Sequence, residues 1–366
     1  MIKSHCFQKE WIDQFRAQPA YERINPPLVE KMIHAFSLLQ HLQHRNLAFT
    51  FKGGTSLVLL LDRANRFSID LDIITTTSRE EIERLLDSIV TDSVFTMWQL
   101  DARRSYQAGV PKAHYKLNYN SAYHQSNYVL LDILFEQTHY PVIHPLPVTC
   151  RWFETEQIIT VKVPSVESIT GDKLTAFAPN TTGIPYGKSK ELEIIKQLFD
   201  LGALFDQILH VETVAASFLS FARQEIAYRS LGILPKAVLW DTIHTCRIIS
   251  FRDGNKKEPD RSHYADLRRG IQQVDGHLVT GHFRIDEAVT ASAKVAYLCI
   301  RLLVEDHTDL PRFEDPEISH SVITNPDWNA LNKLKKLPDR SAFLYWHAGL
   351  QLLGLAEAPS NSIPGW

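Results

Sequence analysis

The sequence has no apolar run approaching the roughly 20 residues that a bilayer-spanning helix needs. Its first residues, MIKSHCFQKEWIDQF, lack the apolar core of a secretory signal. Cysteine is scarce: Cys6, Cys150, Cys246 and Cys299 lie far apart with no CxxC pair. That spacing argues against a zinc site or a disulfide frame and for free thiols in a reducing compartment. A cytoplasmic location is the expectation. The sixteen histidines are scattered, and no metal-ligand spacing such as HExxH occurs. A formal net charge of −3 argues against a general nucleic-acid coat protein, though not against a local basic groove. Internal repeats and low-complexity tracts are absent.

What is present is an ordinary globular composition, 44 % hydrophobic and 22 % charged over 366 residues, with the length of two domains. Residues 25–45 predict an amphipathic helix: Asn25 caps it, Pro26 opens it, and Leu28, Met32, Phe36 and Leu39 form one face. LAFTF (47–51) reads as a strand, 55–62 as two helical turns, and FSIDLDIIT as the next strand. Ser78 and Glu81 form a capping-box pattern that opens a helix to about Val90. Strands are expected at 93–100, 114–120, 128–135 and 156–164. Beyond Pro164 the apolar spacing turns helical, over 189–209, 212–228, 235–250, 286–304 and 341–355. Stretches 178–188, 253–262 and 307–321 read as loops. The fold class is α+β: a mixed β-sheet flanked by helices over 1–165, then a mostly helical domain over 166–366.

The stretch FKGGTSLVLLLDRANRFSIDLDIIT (51–75) carries the chemistry. Asp70 and Asp72 are one residue apart among apolar neighbours, so on a strand they share a face. Carboxylates held this close repel, and one takes up a proton unless a cation compensates; a hard divalent ion with oxygen ligands would do so. A capped turn or an arginine pair accounts for such a doublet equally well. Gly53 and Gly54 precede a helix start, where backbone N–H groups can approach a phosphate, and Thr55 and Ser56 add hydroxyl donors. Arg66 and Ser68 are placed to reach phosphate or to steady the aspartates, with ordinary turn chemistry as the alternative. Lys52 is read as pointing away from the glycine turn. Neither G-x-G-x-x-G nor GxxxxGK[ST] occurs here, so no Rossmann or P-loop reading competes.

Glycine pair, short helix, then DxD on a strand resembles the nucleotidyltransferase superfamily that includes DNA polymerase beta. The fuller string KGGTSL…RFSIDLD resembles the AbiEii/AbiGii toxin family, over residues 47–75 and 160–206. The resemblance implies a third carboxylate on a later strand, and YVLLDILF (128–135) supplies Asp132. Asp70, Asp72 and Asp132 would then hold Mg²⁺ or Mn²⁺ and align phosphoryl transfer. It also implies a lysine and a K-x-x-x-D pair, matched by Lys173 in GDKLTAF and by Lys196 and Asp200 in IIKQLFDL. Lys173 and Asp200 would be the helical domain's contribution to the cleft, Lys173 neutralising phosphate charge. A surface ion pair is the alternative for Lys196. The family commonly has a basic residue directly before that second lysine, where this chain has Ile195.

In activity, the resemblance implies a Mg²⁺-dependent nucleotidyltransferase that moves NMP from an NTP to an acceptor hydroxyl. It would be the toxin of a type IV toxin–antitoxin or phage-defence pair with a cognate antitoxin protein, and the tRNA 3′ end is one acceptor. Basic stretches 101–116, with Tyr106 and Tyr115 for stacking, and 332–340 are candidates for an RNA groove, or else solvated faces. A small-molecule nucleotidyltransferase and a catalytically silent nucleotide-binding member remain the alternatives.

Overall fold

The computed structural model describes residues 1–61, 66–105, 109–313 and 321–357. The chain divides into two compact units. Unit 1 comprises Met1–Ser165 and Gly276–His282, and unit 2 comprises Val166–Asp275 and Phe283–Trp366.

Unit 1 is built on a seven-stranded mixed sheet. Its strands are β1 (Thr50–Lys52), β2 (Leu71–Thr75), β3 (Phe95–Leu100), β4 (Lys112–Tyr119), β5 (Asn127–Phe135), β6 (Ile143–Pro147) and β7 (Thr160–Pro164), in the order β3-β4-β5-β2-β1-β7-β6. The β2/β5 and β1/β7 pairs are parallel and the others antiparallel. β6 lies outside the strands expected from sequence. Pro145 within it is tolerated because β6 is an edge strand, where a missing N–H costs no ladder bond. The helices of this unit are α1 (Lys9–Asp13), α2 (Pro26–His44), α3 (Gly53–Leu60), α4 (Arg79–Thr91) and α5 (Ala102–Ser105). α4 carries the expected Ser78–Glu81 capping box.

Alternation in the strands builds the core of unit 1. Ala113, Tyr115 and Leu117 of β4, Val129, Leu131 and Ile133 of β5, and Leu71 and Ile73 of β2 are buried together with Ile33, Phe36 and Leu39 of α2. Their in-between neighbours, His114, Asp132 and Asp72, are only partly buried on the opposite face. Tyr115 is therefore no stacking platform for RNA. It is fully buried, meets Trp98 edge-on and donates its hydroxyl to Glu83 at 3.1 Å. Tyr106 lies outside the described residues.

Among the described residues, the α-helices of unit 2 are α6 (Val166–Ala176), α7 (Glu191–Phe205), α8 (Val211–Tyr228), α9 (Pro235–Phe251), α10 (Asp260–Val274), α11 (Ile285–Leu303) and α12 (Ser341–Leu352). α11 packs against α7, α9 and α12, and α6 against α7 and α8. α10 was not expected from sequence. Its first residues are charged, but Tyr264, Leu267, Ile271 and Val274 recur at three- and four-residue steps and are buried. Cys6, Cys150, Cys246 and Cys299 are free thiols. Among the described residues no helix is long and apolar enough to cross a membrane.

Candidate active site

Register aligns four residues in one row across the sheet. Lys52 on β1 pairs with Asp72 on β2, Asp72 with Asp132 on β5, and Asp132 with His114 on β4. Directly paired residues project from the same face, and adjacent strands lie about 4.8 Å apart. Two carboxylates thus stand side by side between two basic groups. Lys52, expected to turn away, is the cross-strand neighbour of Asp72; its Nζ lies 5.8 Å from the Tyr140 ring centroid.

Asp132 is held firmly. His114 Nδ1 donates to its Oδ1 at 2.6 Å, and Arg104 Nη2 approaches its Oδ2 at 3.4 Å. A short helix after β3 makes this possible. Ser105 Oγ accepts from the His114 N–H at 2.9 Å, and the Asp101 carboxylate accepts from the Arg104 N–H at 3.2 Å. Lys116 pairs with Asp101 at 3.0 Å; that hydrogen bond, with the Arg104 N–H, holds the Asp101 carboxyl below its usual range. Neither His114 nor Arg104 was singled out from sequence. The available signal was the polar phase of β4, which puts position 114 on the same face as Asp132.

The glycine turn abuts this row. Gly53 has φ +76°, and a Cβ built there would come within 2.1 Å of Asp72 Oδ2. At Gly54 a Cβ would meet Arg66 Nη2 at 2.5 Å and Ser68 Oγ at 2.8 Å. Only glycine lets Asp72, Arg66 and Ser68 close on this bend. Thr55 and Ser56 are fully buried, and their hydroxyls turn inward. Thr55 Oγ1 donates to the Asp70 carbonyl at 2.5 Å and lies 2.9 Å from Ser68 Oγ; Ser56 Oγ donates to the Gly53 carbonyl at 2.8 Å. They brace the bend. Asp70 itself lies one residue ahead of β2.

Among the described residues no three His, Cys, Asp or Glu side chains are gathered into a set that could hold a metal ion. Of the three expected carboxylates, Asp72 and Asp132 are register partners, with Asp132 engaged by His114 and Arg104 and Asp72 seated against Gly53. The aligned pair Asp72–Asp132 still fits a magnesium-like cation, which commonly binds through one or two carboxylates and completes its shell with water and substrate phosphates.

In unit 2, Lys173 on α6 and Asp200 on α7 form a buried ion pair at 2.7 Å, and Lys173 also donates to Gln197 Oε1 at 3.1 Å. Asp200 thus meets a lysine from another helix, a pairing that its spacing from Lys196 did not reveal. Ile195, at the position where a basic residue was expected, is fully buried; a charged side chain there would lose its hydration.

Among solved structures, "Crystal structure of an antigenic nucleotidyltransferase-like protein from Paracoccidioides brasiliensis" is similar at 14% identity and a TM-score of 0.35, over 57% of this chain and 92% of that one. No curated protein matches the chain. The sequence profile described as "Nucleotidyl transferase AbiEii toxin, Type IV TA system" matches residues 37–291. With well over half its length covered by that profile, the chain belongs to the AbiEii nucleotidyltransferase toxin family.

Proposed function

We propose that this protein is an active, Mg²⁺- or Mn²⁺-dependent nucleotidyltransferase that moves NMP from an NTP to an acceptor hydroxyl, and that a cognate antitoxin restrains it. The observation that carries the proposal is the adjacency of Asp72 and Asp132 beside the Gly53 bend. The NTP tail lies along the backbone N–H groups of Gly53 and Gly54 at the start of α3, where the helix terminus favours negative charge. Arg66 and Ser68 reach its oxygens. A divalent ion bound by Asp72 and Asp132, with Asp70 alongside, would supply Lewis-acid polarisation of the α-phosphate and acidify the acceptor hydroxyl. Asp132 accepts the acceptor's proton, its orientation set by His114 and Arg104.

The tRNA 3′ end is the acceptor we put forward. Incubation with each α-labelled NTP, Mg²⁺ and total tRNA tests it, with Asp70→Ala as the control. Label entering tRNA only with the intact protein supports the reading. Label entering a small molecule redirects the assignment to low-mass acceptors, and nucleotide binding without any transfer makes the protein a silent member.

A further inference from the structure

We propose that the helical unit carries a separate site for the phosphodiester backbone of a single-stranded nucleic acid, on the exposed face of α10. An open concavity of about 660 Å³ is lined there by Lys256, Arg261, Arg268 and Arg269, against the single carboxylate of Asp253. Arg261 pairs with Glu258, and Arg269 with Glu191 and Asp266. Lys256 and Arg268 are exposed, and neither has an ion pair or side-chain hydrogen bond among the described residues. Two cations are thus available to an incoming anion, with two more exchangeable from surface pairs that contribute little to stability.

The shape of the site selects the ligand class. From Arg261 to Gln272 the lining runs about 16 Å along the helix axis at 1.5 Å per residue, longer than the phosphate tail of one nucleotide. The only aromatic in the lining, Tyr264, is 7% exposed and presents no ring for a base to stack on. An extended polyanion read through its backbone fits such a trough; a free nucleotide does not. A protein partner would need apolar anchors, and the lining offers only Ala265 and buried Tyr264. The basic stretches picked from sequence are less available. In 101–116, Arg104 and Lys116 are paired with Asp132 and Asp101, and in 332–340 Lys335 lies 4.7 Å from the Phe343 ring centroid.

The inference stands apart from catalysis, so its test uses neither NTP nor metal. Fluorescence anisotropy with labelled 20-nucleotide oligouridylate and oligothymidylate, in EDTA and at several salt concentrations, reads binding by the full chain. Both oligomers should bind alike. Lys256→Ala/Arg268→Ala should weaken binding about tenfold or more and flatten the log–log salt slope by about 1.4, at roughly 0.7 per lost phosphate contact. Both side chains are exposed, so an unchanged urea midpoint should accompany the loss. Unchanged affinity and slope in the double variant would overturn the proposal. Full displacement of the oligomer by equimolar tripolyphosphate would also overturn it in favour of a small anion, and equal displacement by polyglutamate in favour of an acidic protein segment.

Discussion

Asp72 and Asp132 are register partners on adjacent parallel strands, with the carboxylate of Asp72 against Gly53 and that of Asp132 hydrogen-bonded to His114 at 2.6 Å. Side-by-side carboxylates repel, and an apolar pair would stabilise the sheet better. Neighbouring groups offset this cost: Lys52 across from Asp72, and the His114 and Arg104 hydrogen-bond donors around Asp132. The proposed chemistry would account for such a pair at the rim of a glycine bend.

Asp72→Asn and Asp132→Asn keep the shape of the pair and remove its charge. Each should lower label transfer by about 10²- to 10⁴-fold, the usual contribution of a positioned acid–base group, while thermal stability is kept or raised. Transfer at the wild-type rate in either variant would remove that carboxylate from the mechanism. His114→Gln should lower kcat more than it raises KM, because it acts through Asp132.

Gly53→Ala combines a left-handed backbone angle with a methyl group that would fall 2.1 Å from Asp72 Oδ2. Gly109→Ala is the matched control: its φ is also +76°, but among the described residues nothing beyond its chain neighbours lies within 4 Å of the added carbon. Both variants should lose about 1–2 kcal/mol of stability to backbone strain. Gly53→Ala alone should also displace Asp72 and abolish transfer. Chemical denaturation and the labelling assay, run on both variants, separate the two effects.

Lys173 and Asp200 are buried partners, so removing one leaves an uncompensated charge. Asp200→Ala should cost about 3–5 kcal/mol, read as a fall in the urea midpoint. The double change Lys173→Met/Asp200→Leu should recover most of that stability, since apolar residues of similar volume replace buried ion pairs without large cost. Transfer should stay lost in the double variant. If it returns with stability, the pair is purely structural.

Burial lowers the His34 imidazole to about 4, against about 6.5 in the unfolded chain. It sits on α2, stacked on Tyr119 at 3.6 Å and near Phe7 and Phe95, with Nδ1 donating to the Glu30 carbonyl at 2.9 Å. Between these pH values the unfolded chain binds more protons, so stability is lost as pH falls from about 6.5 to about 4 and levels off below. The full difference is about 3 kcal/mol. His41, also lowered to about 4 by burial and by Arg45, acts in the same direction. Urea midpoints across this window should fall with pH, and His34→Phe should flatten the decline. An unaltered pH profile in that variant would show that His34 is not the titrating group.

From sequence alone, what could be read was whatever obeys local rules. The alternation of β4 and β5, the Pro26 start of α2, the Ser78–Glu81 cap and an aspartate inside an apolar strand are all properties of a few consecutive residues, and so were legible. The glycine pair with its DxD also carried the family. Tertiary structure decided what depends on residues far apart in the chain. Strand register brought Lys52 and His114 into line with the two aspartates, and helix packing gave Asp200 to Lys173. The fold turned the Thr55 and Ser56 hydroxyls inward and gathered Lys256 with Arg268 from a loop and a helix. Periodicity tells a residue which face it occupies; only the packed fold determines which side chain it meets there.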